Sequence, residues 1–421
     1  MRSRFLHYTV IIAVILLYLG IIAKSWVFLV GAIAALAFVV VSLKELPPSK
    51  TEVDITRGST EQDVYEDGEV DVRIKIENKG ESLQFLEIMD NIPPSVEIIK
   101  GSNHQVLSLE EGETKVIKYT LSLPIRGTKV LGPIKIRSVD SFGFYYKEWK
   151  VDKEMRIHIL PRTEDMNKVN VRPSYTRNWL GNIQSQSIGI GSEFYALREY
   201  VPGDEIRKIN WKATARYLNP ITNQFEGEKS GDVVLVVDGY KKGNVGNMRN
   251  NTTKASIKAA ASLATSILSD RNRVGLIVLG ETLDWVYPRS GRDQLYKILS
   301  NLSNLREGGM WKMEDMKWLI KRFFPSKSMI IFISPLIQPK ISETIIDICM
   351  KEFDVMVISP NPLKVEKSII NDYDENAEKI LQMGRDTVID ALWPYSIVVD
   401  WDPNDPLEAS LEEVIRYWKR K

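Results

Sequence analysis

Two uninterrupted apolar runs open the chain, Phe5 to Ala23 and Trp26 to Leu43, and only Lys24 and Ser25 stand between them. A helix rises ~1.5 Å per residue, so each run reaches close to the ~30 Å of a hydrocarbon core. In lipid the backbone must satisfy its own hydrogen bonds, so both runs are expected to be helices, and the two-residue spacing predicts a hairpin over residues 1–45. Arg2 and Arg4 ahead of an apolar stretch also suit a signal peptide, but no small-x-small cleavage site separates the runs. Lys24 argues against one long tilted helix. Arg2, Arg4, Lys44 and Lys50 flank the outer ends, and the turn carries Lys24 alone. The Lys/Arg bias of short flanks therefore predicts a cell-membrane protein of two passes, with both ends and all soluble domains in the cytoplasm. Asn250, Asn251 and Asn301 begin N-x-Ser/Thr sequons, which would matter only in the reverse topology.

The remaining chain narrows the function classes by what it lacks. At ~150 residues per domain, 421 residues predict two or three domains. Lys and Arg number 56 against 55 Asp and Glu, so no basic excess supports a nucleic-acid partner. A single cysteine excludes an internal disulfide framework and a thiolate metal cluster. His7, His104 and His158 lie far apart and no His-Glu-x-x-His pair occurs, which argues against a histidine-bound zinc hydrolase.

Residues 50–160 predict an antiparallel β-sandwich. Glu69 to Glu77 alternates apolar and charged side chains with period two, the pattern of a half-buried strand. Val116 to Leu123 and Ile134 to Val139 repeat it. Turn signals recur between them at Asn78-Lys79-Gly80, Pro93-Pro94, Glu111-Gly112 and Leu131-Gly132-Pro133. No catalytic grouping falls here, so a spacer or interaction module is expected.

Residues 161–231 are expected to hold a linker followed by a dense polar and aromatic segment. Arg162 to Ser187 is mostly polar and is assigned to a surface connection. Within the second part, Pro202-Gly203 forms a turn signal, and Asp204 is a candidate N-cap for a short helix beginning at Glu205. Arg198, Arg207, Lys208, Lys212 and Arg216 stand beside Glu199, Asp204 and Glu205. Arg207, Trp211 and Arg216 suit a docking surface, since Trp and Arg dominate interface hot spots. The same residues suit an ion-paired lock onto the neighbouring domain, or an anion pocket. Gly189-Ile-Gly191 is no phosphate loop, and no Gly-x4-Gly-Lys-Ser/Thr motif occurs in the chain.

From Asp232 to the end the pattern changes to strands alternating with helices. Strands are expected at 233–237, 274–279, 329–333, 355–358 and 395–399. Helices are expected at 254–268, 293–302, 314–323, 342–350 and 407–418. That order predicts a Rossmann-like α/β domain over 232–421, a parallel sheet with helices on both faces. A dinucleotide-binding domain is excluded, because no glycine-rich turn follows the first strand.

Several short motifs at fixed spacing carry a family resemblance. These are Glu193-Phe194, Leu197 to Tyr200, Pro202 to Asp204, Arg207 with Ile209 and Trp211, and Ala215-Arg216. Upstream, Arg126-Gly127, Leu131-Gly132-Pro133 and Asp140 to Gly143 match the same pattern. The chain closely resembles the family known as domain of unknown function fifty-eight. That resemblance implies a von Willebrand A-like C-terminal domain and a MoxR-type AAA+ ATPase as partner, and it implies no known reaction. Von Willebrand A domains hold a hard cation at the carboxyl ends of the strands with Asp-x-Ser-x-Ser plus a distant Thr and Asp. Here the motif reads Asp238-Gly-Tyr240-Lys-Lys242, and the later strand ends Ser334-Pro335-Leu336 without a carboxylate. Mg²⁺ and Ca²⁺ require oxygen ligands and an ammonium repels them, so the site is expected to be degenerate and to bind no metal. Lys241 or Lys242 is expected to take the cation's place beside Asp238.

Together these features predict a two-pass membrane protein working as a non-enzymatic adaptor or assembly factor with an AAA+ ATPase, without a cofactor, and with a client of unknown identity. The competing reading is a hydrolase or transferase built on Glu193, Arg198 and Asp204. It requires a nucleophile or base converging in a concave pocket near those residues.

Overall fold

The computed structural model describes residues 4–44, 52–59, 63–139, 144–166, 183–202, 204–229, 232–311, 315, 319, 328–338, 340–351, 353–370 and 375–418, with backbone only for 4–5, 43–44, 59, 183–195, 224–229 and 415–418. It divides into two compact units, Met1–Ile159 and Leu160–Lys421.

The apolar runs form α1 (Arg4–Ala23) and α2 (Trp26–Lys44). Lys24 makes the turn with a positive φ of 46°. The helices meet closely at Gly20, where a Cβ would stand 2.9 Å from the Leu29 side chain. Neither helix has a polar face: Ile12, Val14, Ile21, Ile22 and Ile33 are all exposed. Leu6–Ala23 is long and apolar enough to cross a membrane, and Trp26–Ser42 is a shorter apolar stretch.

The mostly β domain holds β1 (Val53–Ser59), β2 (Asp63–Tyr65), β3 (Gly68–Asn78), β4 (Leu83–Asp90), β5 (Glu97–Gly101), β6 (His104–Leu109), β7 (Thr114–Leu123), β8 (Gly127–Leu131), β9 (Ile134–Val139), β10 (Tyr146–Val151) and β11 (Met155–Leu160). The sequence predicts a sandwich, and the strands in fact form three sheets, ordered β1-β3-β7-β5, β10-β9-β4-β6 and β2-β11-β8. The period-two pattern does its work in β3, where Val70, Val72, Ile74 and Ile76 point inward and the residues between them stay exposed. Val72 pairs with Tyr119 and Ile74 with Ile117 across β7. Side chains from all three sheets, among them Ile55, Ile74, Leu86, Ile117, Ile136 and Ile157, meet in one buried cluster. Asp90, fully buried, is held by the Arg57 guanidinium and the Tyr119 hydroxyl.

The second unit begins with a two-stranded ribbon, β12 (Ile183–Glu199) against β13 (Ile221–Lys229), which flanks the helix α3 (Trp211–Tyr217). Residues 183–187, expected in a linker, are therefore the start of β12. Their polar side chains hide the strand, because a two-stranded ribbon needs ladder partners rather than a buried apolar face. The rest of the assigned linker, 167–182, lies outside the described residues.

The α/β sheet has six strands in the order β16-β15-β14-β17-β18-β19. These are β14 (Asp232–Asp238), β15 (Arg273–Leu279), β16 (Leu283–Arg289), β17 (Met329–Ile333), β18 (Asp354–Pro360) and β19 (Ile397–Trp401). Five run parallel, and β16 is an antiparallel edge joined to β15. The helices are α4 (Thr252–Ser269), α5 (Arg292–Ser303), α6 (Ile341–Cys349), α7 (Pro362–Lys367), α8 (Glu375–Leu392) and α9 (Leu407–Trp418). Every residue of β14 is buried, as a strand covered on both faces requires. Val233, Leu235 and Val237 pack with α4, α5 and α9, while Val234 and Val236 pack with α6 and α8. The sheet is thus mixed rather than purely parallel. The expected helix over 314–323 lies almost wholly outside the described residues.

Candidate functional site

Two regions carry the residues singled out in the sequence. The first is the loop and helix between β12 and β13. Tyr200 N–H donates to Pro220 O at 2.8 Å and Asn210 N–H to Ile221 O at 2.8 Å, so the excursion is pinned at its base. Asn210 caps α3 by accepting from Ala213 N–H at 3.0 Å, and its amide donates to Asn223 Oδ1 at 2.8 Å. Leu218 closes the helix in the left-handed region, φ 62°.

Asp204 is not the expected N-cap. Its carboxylate accepts from Arg198 Nη2 at 2.5 Å and from Val201 N–H at 3.0 Å, closing a tight loop around the Pro202 turn. The chain then makes a single 3₁₀ turn, Ile206–Lys208, without a side-chain cap. The physical reason is the guanidinium on the strand just before the turn: a charge-assisted bond to Arg198 outcompetes a neutral cap. Arg198 also donates to the Glu199 carbonyl at 2.9 Å. The Arg198 side chain, together with the Val201 N–H, holds the Asp204 carboxyl below the usual carboxylate range, and Arg198 is correspondingly raised. A carboxylate held down in this way is a weak base, unlike a general base poised near neutral pH. The Glu199 side chain is exposed, and the Glu193 side chain lies outside the described residues.

Arg207, Trp211 and Arg216 behave differently. All three are exposed, Trp211 at 67%. Among the described residues none of them has an ion-pair or hydrogen-bond partner. Ile206, Tyr217 and Leu218 are exposed beside them, so the excursion presents apolar area interleaved with cations. The structure therefore separates the signature into a braced loop, Arg198 with Asp204, and an unsatisfied face.

The second region is the carboxyl end of the six-stranded sheet. β14 is followed by β15 on one side and later by β17 on the other, so strand order reverses between β14 and β17. In open α/β sheets ligands occupy the crevice at such a reversal. Here Asp238 ends β14 at 3% exposed. Ser334 Oγ donates to its Oδ2 at 2.6 Å, Gln338 Nε2 to its Oδ1 at 2.7 Å, and Tyr240 N–H to Oδ1 at 3.0 Å. Ser334 Oγ in turn accepts from Leu336 N–H at 3.1 Å. Burial pushes the Asp238 carboxyl up, and these three neutral donors only partly offset it. Lys241 and Lys242 are exposed and neither bonds Asp238, which corrects the expectation that a lysine replaces the cation. Placing an ammonium there would require burying a second charge, whereas hydroxyl and amide donors satisfy the carboxyl at lower cost. Among the described residues no three His, Cys, Asp or Glu side chains come together.

Residues not singled out in the sequence tie the same end together. Arg385, on α8, is buried and donates to Pro335 O at 2.9 Å, Ser359 Oγ at 2.7 Å and Asp400 Oδ1 at 2.6 Å. One side chain thus links the carboxyl ends of β17, β18 and β19. Nothing in the sequence marks it, since it sits in a mostly polar helix with other charged residues around it.

The uncharacterized protein Rv1480 of Mycobacterium tuberculosis is 27% identical over 155 residues, covering 36% of this chain and 49% of that protein. The uncharacterized protein YeaD of Bacillus subtilis is 21% identical over 219 residues, covering 51% and 52%. The chain therefore spans about half the length of the curated relatives it matches. A FixG-related protein from Vibrio parahaemolyticus aligns with 25% of this chain and 95% of its own, at 15% identity and a TM-score of 0.19, too low to bear on function. Residues 196–359, which take in the Arg198–Asp204 pair, the exposed Trp211 face and Asp238 with its Ser334 donor, match the family model described as "Protein of unknown function DUF58".

Proposed function

We propose that this protein is a membrane-anchored adaptor without an enzymatic step, and that it docks a MoxR-type AAA+ ATPase through the face formed by Arg207, Trp211 and Arg216. One observation carries the reading: those three side chains are exposed and unpaired among the described residues, next to an Arg198–Asp204 pair that is already satisfied. A lock would have spent them on contacts within the chain. A docking face leaves its aromatic area and guanidinium forks outward, where Arg suits bidentate carboxylates. In this reading α1 and α2 span the bilayer and the domains beyond them lie in the cytoplasm, as the Lys/Arg flanks favour. The α/β unit is von Willebrand A-like with its cation replaced by the Ser334 and Gln338 donors to Asp238.

The test is Arg207→Glu in the full chain, with stability and binding of a purified MoxR-type ATPase measured on the same sample. The expected result is an unchanged melting temperature and binding weakened about tenfold or more, since a like-charge reversal at an interface costs several kcal/mol at ~1.4 kcal/mol per decade. A lowered melting temperature with normal binding by the folded fraction would move the docking surface elsewhere.

A further inference from the structure

A groove of about 390 Å³ opens beside the carboxyl ends of β17 and β18. Its walls include Leu336, Ile337, Leu363, Ile380, Leu381 and Val388. Two charged side chains line it, Arg385 and Glu366. Arg385 is neutralised by Asp400 at 2.6 Å. Glu366 is half-buried, and among the described residues no cation pairs with its carboxylate. The nearby Lys367 is taken by Glu378 at 3.4 Å. The groove is therefore apolar with one uncompensated negative charge.

The apolar wall on α8 is open to solvent and extends beyond the groove to Met383. Ile380 is 69% exposed, Leu381 57% and Met383 70%. Ile380 and Val388, which both line the groove, stand two turns or ~12 Å apart along α8. Gly384 sits mid-helix within it. Glycine is a poorer helix former than alanine there. Among the described residues a Cβ at Gly384 would meet no atom within 4 Å, so no close approach within them requires the glycine. Ile380 and Val388 stand one turn to either side of Gly384, so the glycine is a notch in an apolar ridge. Such a notch admits a side chain from a helix crossing at close range.

We propose that this groove receives an amphipathic helix of another protein, with an apolar side chain seated at Gly384 and a Lys or Arg paired with Glu366. The site is separate from the Trp211 face and does not depend on what docks there.

The experiment uses the full chain in zwitterionic lipid nanodiscs and a stapled, fluorescent helix of about 16 residues, about four turns. The helix has a leucine stripe flanked by one lysine, and a twin carries glutamate in place of that lysine. Anisotropy is read against empty nanodiscs. The lysine helix is expected to bind, and Glu366→Lys to weaken it about tenfold while favouring the glutamate twin. Gly384→Leu is expected to abolish binding while the melting temperature holds or rises, since leucine is the better helix former. That pairing separates a filled notch from a damaged fold. Failure of the lysine helix to bind beyond empty nanodiscs would overturn the proposal. So would equal binding of the two helices, or binding indifferent to Gly384→Leu. Saturable, Glu366-dependent binding of octylammonium without binding of the helix would make this a small-molecule pocket and overturn it equally.

Discussion

Ser334 donates its hydroxyl to Asp238 at 2.6 Å, joining the carboxyl ends of β17 and β14 where the strand order reverses. The bond occupies the place where a sheet of this kind offers a ligand its crevice. With Gln338 and the Tyr240 N–H it fills the acceptor positions a hard cation would need.

Millimolar Mg²⁺ or Mn²⁺ is therefore expected to leave the melting temperature of the full chain unchanged. A cation at a hundred times its dissociation constant would add ~2.7 kcal/mol and shift melting by several degrees, reversibly with chelator. Asp238→Ala is expected to cost about 3 kcal/mol in urea denaturation, because the buried Ser334 hydroxyl and Gln338 amide each lose their acceptor.

The pH dependence arises from burial of the same group. Its folded pKa is raised above the ordinary value of 3.8. Below that value the carboxyl is protonated in both states and its contribution is fully present. As pH rises the unfolded chain ionises first, so stability falls until the raised folded pKa is passed and then levels off. Asp238→Asn removes the titration. The loss of stability between about pH 4 and about pH 8 is expected to be smaller in that variant than in the parent, measured by thermal melting across the range. An unchanged slope would place the pH dependence on other groups.

Arg385→Leu is expected to destabilise the α/β unit by about 2–4 kcal/mol, since it leaves the Pro335 carbonyl and the buried Ser359 hydroxyl without their donor and the partly exposed Asp400 carboxylate with Asn361 alone. Adding Asp400→Leu is expected to restore part of the loss. A double-mutant cycle with no coupling would show that the pair contributes nothing beyond packing.

A reporter fused after the C-terminus is expected to be active in the cytoplasm. Glycan attached at Asn250, Asn251 or Asn301 in a glycosylating host would reverse that topology. Asn251 caps α4 and is buried, so Asn301, on the exposed side of α5, is the informative position.

Legibility tracked the strength of local patterning. Helices α1 and α2 and strands β3, β7, β9, β14, β15 and β17 are set by apolar periodicity or continuous apolar runs, because one or two buried faces fix their side chains directly. Strands β5 and β16 are not: β5 is exposed along its whole length, and Pro288 in β16 is a residue that discourages a strand assignment. Both lie at sheet edges, where the ladder rather than the core decides. Helix α8 is absent from the sequence reading although its buried Arg385, Ile389 and Leu392 recur at helical spacing. At the site, motif spacing pointed to Arg198, Asp204 and Trp211 but could not divide them, since pairing depends on a loop closing around Pro202. Asp238 stands where the family resemblance implies a cation ligand, while its donors Ser334 and Gln338 lie about a hundred residues away in sequence.

The central position of β14 has a consequence for how the chain is made. It is the first strand of its sheet to leave the ribosome, and β15 can zip onto one of its edges as soon as α4 has formed. Its other edge waits for β17, which is synthesised only after β16 and α5. During that interval a fully buried strand of the finished sheet presents a bare row of amides and carbonyls, the kind of edge that templates misassembly with a neighbouring nascent chain. The slow step in producing this protein is thus expected to be the arrival of β17 rather than the formation of any helix, and slower translation between β15 and β17 would lengthen the exposure.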